Sequence, residues 1–417
     1  MAFTRARMNQ AQNAVLATFF FHGVLVTTVI PRIPELIRQI GVEFTAWGLI
    51  MGTAGLGGLL GLLLTTRFIS RFGTRQVALV CSVVLACTVI GFGFVHDPVS
   101  FFFLQALNNF VGAMYVISVN SQTVALQKAM NRVIIGKFHA AWSLGTAVSS
   151  ALSGYLSTFL PLQTHLMIIP SLALICFITF SRGMLTNAED GHGQGKPKNK
   201  PVAFLKSPPQ VWLLSAGLVT GVICEVTMGD WSAVFAQEGL GLGLGKAAIP
   251  FTAFSTAMIV GRSLINKLSK RWHLSSISRI SGISGGLAIL FAILVGVPVS
   301  NQNLDTGLVI VAICFAIAGL GAAPMVPSFF SVAGNVKGLN TAQVLARMNF
   351  VNSVTIVFVK IAMGATADSA GVVATFMFAV VSMLAAGVIA GIVARDSKKR
   401  ELESPYPATG AMMILED

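Results

Sequence analysis

The chain has 417 residues, of which 54% are hydrophobic and 10% charged, and its mean hydropathy is +0.79. Soluble domains carry about 25% charged residues, and charge is costly in hydrocarbon. This composition therefore excludes an ordinary soluble protein. The formal net charge of +13 comes from basic residues spread over many short loops, which argues against nucleic-acid binding.

Twelve apolar stretches, each about long enough to cross a bilayer, occupy nearly all of the chain. The polar N-terminus leads into the first stretch without a small-residue cleavage site, so we expect a retained helix there and no signal peptide. The predicted spans are 14–36, 46–66, 76–96, 99–126, 137–159, 163–183, 211–236, 246–269, 275–298, 305–333, 343–366 and 372–394.

Basic residues fall in every second loop between these spans. The alternate loops hold only Arg32, Arg38 and Lys246. Because cytoplasmic loops are enriched in Lys and Arg, both termini are predicted to lie in the cytoplasm. The regular alternation also supports the count of twelve, since one missed span would disrupt it.

The longest polar break, 187–209, is rich in Gly, Lys and Pro. Such a stretch buries too little apolar surface to fold, so it is predicted to be a cytoplasmic linker between two six-helix bundles, 1–186 and 210–396. Residues 397–417 are predicted to form a disordered tail. Six spans plus six, joined by a cytoplasmic loop, is typical of two parallel repeats related by an axis along the membrane normal.

The loop after the second span, 67–75 (RFISRFGTR), resembles the Gly-xxx-Asp-Arg-x-Gly-x-Arg loop of the major facilitator superfamily, and 261–271 repeats a weaker version. Thr66 replaces the glycine of that pattern and Ser70 replaces the aspartate. In the family this aspartate helps to lock the two halves on the cytoplasmic side. The resemblance implies a transporter fold and makes Arg71 a candidate gate residue.

A narrower resemblance rests on four segments: 31–34 (PRIP), 138–145 (FHAAWSLG), 225–232 (EVTMGDWS) and 319–327 (GLGAAPMVP). Together they resemble the YbjJ-like group of bacterial permeases, which is related to fucose-permease-type symporters. The resemblance implies a transport role but no particular substrate. Val116 departs from this pattern, since an acidic residue is expected there.

Ionisable residues within spans are functional candidates by default. Glu225 lies about fourteen residues into the seventh span, roughly 21 Å along a helix axis. Burial disfavours the charged form of a carboxyl group, so Glu225 is a candidate proton carrier. The alternative is a structural carboxylate paired with a basic residue on a neighbouring helix. His22, in the first span, is a second candidate for proton coupling, or a histidine that a neighbour satisfies.

Asp230 follows Glu225 by five residues, about 140° around a helix, so the two carboxylates do not share a face. Gly229 is expected to break the helix there. Asp230 is then a candidate gate or helix cap at the outer end of the span.

Polar and aromatic residues elsewhere in the spans are candidates for a substrate cavity. His139 and Trp142 share a helix face and suit a ring-bearing solute or a packed helix end. Buried amides require hydrogen-bond partners, which either a polar solute or a neighbouring helix supplies. The amide candidates are Asn108, Asn120, Asn349 and Asn352.

Several other residues are candidates for gates or interdomain contacts. Arg32 lies between two prolines and three residues before Glu35, as an outer gate or as an exposed ion pair of little energetic value. Arg262 is expected to snorkel or to bridge the halves, and Lys360 to snorkel. Pro324 and Pro327, with nearby glycines, are expected to interrupt the tenth span, and broken helices mark binding sites or hinges in transporters.

No GxxxxGK[ST] phosphate loop, His/Cys cluster or GxSxG turn occurs in the sequence, so no ATPase, metal site, cofactor or enzyme is predicted. The favoured function is secondary transport of a small polar solute, with sugars as the first class considered, coupled to protons by alternating access. An exporter of drugs or metabolites and a non-transporting membrane sensor remain alternatives. The expected setting is the bacterial inner membrane, and the expected state is a monomer.

Overall fold

The structure is a computed structural model that describes residues 4–130, 134–190, 207–269, 271–333, 336, 339 and 341–400. Within these ranges every secondary-structure element is a helix. The twelve long helices, numbered α1 to α12, are Arg5–Thr27, Phe44–Phe72, Thr74–Phe92, Pro98–Met130, Ile135–Leu156, Leu162–Ser181, Pro209–Val234, Ile249–Leu268, Leu274–Phe291, Leu304–Ala322, Thr341–Ala370 and Val372–Arg400. The all-helical fold with helices at the predicted positions is thereby confirmed.

Eleven spans in the described part of the chain are long and apolar enough to cross a membrane. The helix outside this set is α5, whose sequence is rich in serine and glycine. These small residues lower its hydropathy but serve its packing, because they allow the helix backbones to approach closely.

The chain divides into two compact units, residues 1–200 and 201–417. In the N-terminal unit, α1 packs against α5 and α6, α2 against α4, and α3 against α4 and α6. In the C-terminal unit, α7 packs against α11 and α12, α8 against α10, and α9 against α10 and α12. Each helix of the second unit therefore makes the same main contacts as the helix six positions earlier in the chain.

Two of the predicted spans are broken by proline. The first continues beyond α1 through a 3₁₀ turn, Ile30–Arg32, into a short helix, Ile33–Ile40. The tenth ends with α10 and resumes as the helix Met325–Ala333. The interruption is at Ala323 and Pro324, in agreement with the sequence-based expectation.

The expected break at Gly229 is wrong, because α7 runs without interruption from Pro209 to Val234. A glycine in a helix weakens it by only about 1 kcal/mol, and the packing of α7 against its neighbours exceeds that cost. The helix changes to π geometry only at Phe235–Gly239.

The segment after α6 is held against the N-terminal unit by polar contacts. Arg7 on α1 forms a bidentate pair with Glu189, at 2.9 Å and 2.7 Å, and Gln122 on α4 exchanges two hydrogen bonds with the backbone of Leu185. Thr74, at the start of α3, donates to Asp190. The hydrogen bonds from Arg7 lower the pKa of Glu189 to about 2.

The beginning of the predicted linker is thus a short helix, Asn187–Asp190. The division between the two units, at residues 200 and 201, falls within the stretch 187–209. Residues 191–206, which make up most of that stretch, and residues 401–417 of the predicted tail lie outside the described residues.

Candidate functional site

Helix α7 carries two carboxylates, and each is paired with a basic residue on a different neighbouring helix. Glu225 accepts from Nη2 of Arg262 on α8, at 3.2 Å to Oε1 and 3.5 Å to Oε2. Asp230 forms an ion pair with Lys360 on α11, with Nζ 2.7 Å from Oδ2. The two carboxylates lie on different faces of α7, as the five-residue spacing predicts.

The Glu225–Arg262 pair lies well away from the ends of both helices. Glu225 is nine residues before Val234, the last residue of α7, and Arg262 is six residues before Leu268, the last residue of α8. At 1.5 Å per residue these distances are about 13 Å and 9 Å. The pair is therefore at the depth of the apolar part of the helices, where an unpaired charge is expensive.

The two pairs differ in how well they are enclosed. The side chains of Arg262 and Glu225 are 33% and 27% exposed, whereas those of Lys360 and Asp230 are both 18% exposed. One nitrogen, Nη2, makes all the hydrogen bonds of Arg262 to described residues. Nε and Nη1 of Arg262 thus remain available as donors to a ligand.

These pairs correct the expected behaviour of two basic residues. Arg262 does not snorkel, since its guanidinium bonds Glu225 within the same unit. Lys360 does not snorkel either, since its ammonium group bonds Asp230. In a low-dielectric setting a carboxylate partner stabilises a cation more than exposure at the rim of a helix does.

The second candidate for proton coupling, His22, is packed in the core of the N-terminal unit. The residue is 9% exposed, and its ring stacks on the ring of Tyr115 with the centroids 4.6 Å apart. The hydroxyl group of Tyr115 donates to the carbonyl oxygen of Thr18, at 3.0 Å. This environment is an aromatic stack between α1 and α4.

His139 and Trp142 lie together near the N-terminal end of α5, as their spacing predicts. The ring of His139 is exposed and meets the edge of Phe19 on α1 at 5.5 Å. Trp142 is half-buried, and its carbonyl oxygen would lie 2.2 Å from a Cβ atom placed on Gly23. Both residues therefore take part in the contact between α1 and α5.

The four amide candidates have different environments. Asn108 donates to Thr88 on α3 at 2.6 Å and so bridges two helices. Asn120 and Asn349 each donate to the carbonyl oxygen four residues earlier on their own helix. The Oδ1 atom of Asn352 is buried without a hydrogen-bond partner among the described residues.

A groove of about 460 Å³ runs along one face of α4 near the C-terminal end of that helix. It is open and mostly apolar, and its polar groups come from Asn120, Ser121, Lys128 and Asp190. Val116, the position at which an acidic residue was expected, also lines it. The groove thus contains one candidate of the N-terminal unit, Asn120, and its lining from α4 carries no carboxylate.

Arg32 does not form the exposed ion pair with Glu35 that was one of the two expectations from the sequence. Its side chain is fully buried and forms an ion pair with Glu35 at 2.6 Å. It also contacts Nδ1 of His165 on α6 at 3.2 Å and the carbonyl oxygen of Leu160 at 3.0 Å. His165 in turn meets Thr28 at 3.0 Å through Nε2.

His165 was not a candidate from sequence, because a single histidine in an apolar helix carries no local signal of its partner. The remaining gate candidates have simpler environments. Arg71 is exposed, with its guanidinium 5.3 Å from the ring centre of Phe72. Pro324 and Pro327 flank the start of the helix Met325–Ala333.

Comparison with known proteins gives one family and one fold. The family model described as Major Facilitator Superfamily matches residues 15–358. An uncharacterized transporter, y4wD, of Sinorhizobium fredii is 28% identical over 76% of this chain and 81% of its own length. An uncharacterized MFS-type transporter of Yersinia pestis is 27% identical over 76% of this chain and 78% of its own length.

Solved structures with the same fold include the nucleoside transporter NupG, as its D323A mutant, with a TM-score of 0.74 at 13% identity. That match covers 93% of this chain and 99% of NupG. A bacterial homolog of the human lysosomal transporter Spinster, inward-facing and unoccupied, matches with a TM-score of 0.68 at 14% identity, covering 94% and 96%.

Proposed function

Because this chain belongs to the major facilitator superfamily and is therefore a multi-pass secondary transporter of a small molecule, we propose that it moves a polar solute by proton-coupled alternating access. Sugars and their derivatives are the first class to test. The proposal rests on the ion pair of Glu225 and Arg262. This pair lies at membrane depth, is joined through one arginine nitrogen, and is partly exposed.

A proton changes this pair in a defined way. Arg262 keeps its charge at every accessible pH, whereas Glu225 loses its charge when it is protonated. Protonation removes the attraction that holds the guanidinium on α7, and the two side chains are then free to separate. A solute that binds only one of these arrangements couples its own movement to that of the proton.

The second pair, Asp230 and Lys360, supports this assignment by contrast. It is shorter and more enclosed, with both side chains 18% exposed. A short, enclosed ion pair holds α7 and α11 together and leaves its carboxylate little access to solvent. We therefore assign proton exchange to Glu225 and a structural role to Asp230.

We also propose a permease group for this chain and a membrane in which it lies. The segments 31–34, 138–145, 225–232 and 319–327 support membership of the YbjJ-like group of permeases. Two relatives from bacteria and the alternation of basic loops support a bacterial inner membrane with both termini in the cytoplasm. We propose a monomer as the working unit.

The test is uptake into proteoliposomes, screened over sugars, polyols, amino acids and nucleosides with an imposed pH gradient, acidic on the side from which the solute enters. We expect the wild type to accumulate one class of polar solute, and Glu225→Gln to lose the acceleration by the gradient. Residual exchange of labelled for unlabelled solute is expected to persist, because the glutamine keeps the shape of the site.

Asp305→Asn is the matched control. Asp305 pairs with Lys246 at 2.5 Å in a similar carboxylate–cation contact, but its side chain is 75% exposed. We expect the control to transport like the wild type. Gradient-driven uptake that survives Glu225→Gln unchanged would refute the proton role of Glu225. If the protein transported only bulky amphipathic drugs, the proposed uptake of a polar solute would be wrong and export would be assigned instead.

A further inference from the structure

The charged groups at membrane depth in the C-terminal unit balance one another. Glu225 and Asp230 carry two negative charges, and Arg262 and Lys360 carry two positive charges. Since an unpaired charge in this setting is strongly unfavourable, the two neutral pairs are the stable arrangement of the unliganded site.

Protonation of Glu225 disturbs this balance by one unit of charge. Arg262 then has no anionic partner, since Lys360 already neutralises Asp230. The other titratable group adjacent to Glu225 is the thiol of Cys224, which is fully buried. The elements α10, α12 and Met325–Ala333, which also pack near α7, carry charged residues only toward the ends of α10 and α12.

We propose that the solute carries one carboxylate, which takes the place of Glu225 on the Arg262 guanidinium when Glu225 is protonated. This inference deepens the proposed function and rests on it. The geometry supports it directly, because Arg262 uses one nitrogen for Glu225 and leaves Nε and Nη1 without a protein partner among the described residues. Once protonation of Glu225 releases Nη2, that nitrogen forms an edge with Nε or with Nη1, and either edge can bind a carboxylate through two parallel hydrogen bonds.

Among polar solutes, the balance of charge at Arg262 favours one with a single negative charge. A neutral sugar leaves Arg262 uncompensated after protonation, whereas a phosphate monoester brings a second negative charge that the site does not match. One proton and one carboxylate restore neutrality together. Transport is therefore electroneutral, and binding of the anion requires binding of the proton.

The first experiment measures binding to the purified full-length protein by thermal shift at pH 7.5 and pH 5.5. The probes are glucuronate, gluconate and lactate as monocarboxylates, glucose as the neutral partner of glucuronate, and glucose 6-phosphate as the dianion. We expect at least one monocarboxylate to stabilise the protein, with an apparent Kd that decreases by up to about tenfold per pH unit toward acid. Glucose and glucose 6-phosphate should have no such effect.

Variants of the pair then separate the two partners. Glu225→Gln removes the competing carboxylate and should bind the same monocarboxylate equally well at both pH values. The double variant Glu225→Gln with Arg262→Gln contains neither charge of the pair, so it should fold. Its affinity for the monocarboxylate should be at least tenfold lower than that of the wild type. Lys246→Gln, which removes an exposed lysine 52% open to solvent, is the control and should bind like the wild type.

The second experiment measures uptake of that monocarboxylate into proteoliposomes with a pH gradient, with and without a potassium diffusion potential set by valinomycin. An electroneutral process gives the same initial rate in both conditions. A rate that changes severalfold with the potential would overturn the charge count.

Two results would overturn the inference while leaving the proposed function intact. One is gradient-driven, Glu225-dependent uptake of neutral solutes with no response to any monocarboxylate. The other is unchanged monocarboxylate binding in the double variant. Loss of the proton role would instead appear as monocarboxylate binding that is independent of pH in the wild type.

Discussion

The contact of α1 with α5 and the contact of α7 with α11 occupy equivalent places in the two units but use different chemistry. Between α1 and α5, a Cβ on Gly145 would lie 2.1 Å from the carbonyl oxygen of Phe20. Ser149 and Ser153 donate to the carbonyl oxygens of Val24 and Thr28 at 2.8 Å and 2.7 Å. These contacts recur every four residues, so the two helices run parallel with their backbones in touch.

The contact between α7 and α11 depends on longer side chains. Lys360 reaches Asp230, and Thr227 meets the sulfur of Met363 at 4.0 Å. Long side chains hold helices farther apart than glycine and serine do. The equivalent position in the second unit thus leaves room for charged groups at membrane depth.

The contact of α2 with α4 and the contact of α8 with α10 also use different residues at equivalent places. In the first unit Gly57 and Gly61 of α2 press on the backbone of α4, whereas in the second unit Gly319 of α10 presses on the backbone of α8 at Phe254. The close approach is retained, but in the second unit its tightest backbone contact is made by a glycine of the opposite helix, while Gly261 of α8 meets Ala323 and Leu320. A repeated fold therefore constrains which helices touch and leaves the residues that permit the contact free to differ.

The largest expected effect is at the glycine contact of α1 with α5. Gly145→Ala places a methyl group against the carbonyl oxygen of Phe20, and we expect a loss of about 3 kcal/mol or more in unfolding free energy. Gly136→Ala is the control on the same helix, because its Cβ would meet nothing within 4 Å. Thermal unfolding in detergent measures both, and equal midpoints for the two variants would contradict the close-approach account.

The second-largest loss of unfolding free energy is expected at the ion pair between α7 and α11. Asp230→Asn leaves Lys360 without its carboxylate, and we expect a loss of about 2–3 kcal/mol. Adding Lys360→Met removes the stranded charge and should recover most of that loss. A double variant as unstable as the single variant would mean that the pair does more than neutralise charge.

A smaller effect is expected at the ion pair of the N-terminal unit between α1 and the segment after α6. Glu189→Gln removes the carboxylate that Arg7 binds, and we expect a loss of about 1 kcal/mol at pH 7. The pKa of Glu189 is lowered from 4.5 to about 2 in the folded protein. The stabilisation is therefore complete above pH 4.5 and declines as pH falls from 4.5 toward 2.

The measurement is the difference in unfolding midpoint between wild type and Glu189→Gln at pH 7, 5 and 3.5. That difference should be constant between pH 7 and 5 and should shrink at 3.5. A difference that grows on acidification would reverse the sign of the linkage and refute the pairing with Arg7.

The smallest effect is expected for the exposed pair of the C-terminal unit. Asp305→Asn breaks the contact with Lys246, whose side chain is 52% exposed. Exposed pairs contribute little, so the change should be below about 0.5 kcal/mol. A loss comparable to that of Asp230→Asn would show that depth in the helix bundle does not decide the value of these pairs.

Much of the fold followed from local signals. Hydropathy located all twelve helices, and the prolines near Arg32 and at Pro324 marked two interruptions. Less of the candidate site could be predicted from the sequence. Glu225 and Asp230 were identified as unusual because each is a carboxylate in an apolar helix, but the pattern did not identify their partners, since Arg262 was expected to snorkel or to bridge the halves and Lys360 to snorkel.

The amides show the same limit. Asn120 and Asn349 bond to their own helices, and Asn108 bonds to a neighbouring one, although all three look alike in sequence. Which of these outcomes occurs depends on the rotation of the helix about its axis. That rotation is set by packing, and no single helix specifies it.

By itself, the sequence determined that this protein lies in a membrane, that its helices number twelve, and that its two halves repeat, because the bilayer acts on each segment through local hydropathy and charge. Only the tertiary structure decided which charges meet. Arg32 and His165 are 133 residues apart, and Glu225 and Arg262 are 37 apart. Their contacts arise from the crossing and rotation of packed helices, which depend on the side chains of all the helices together.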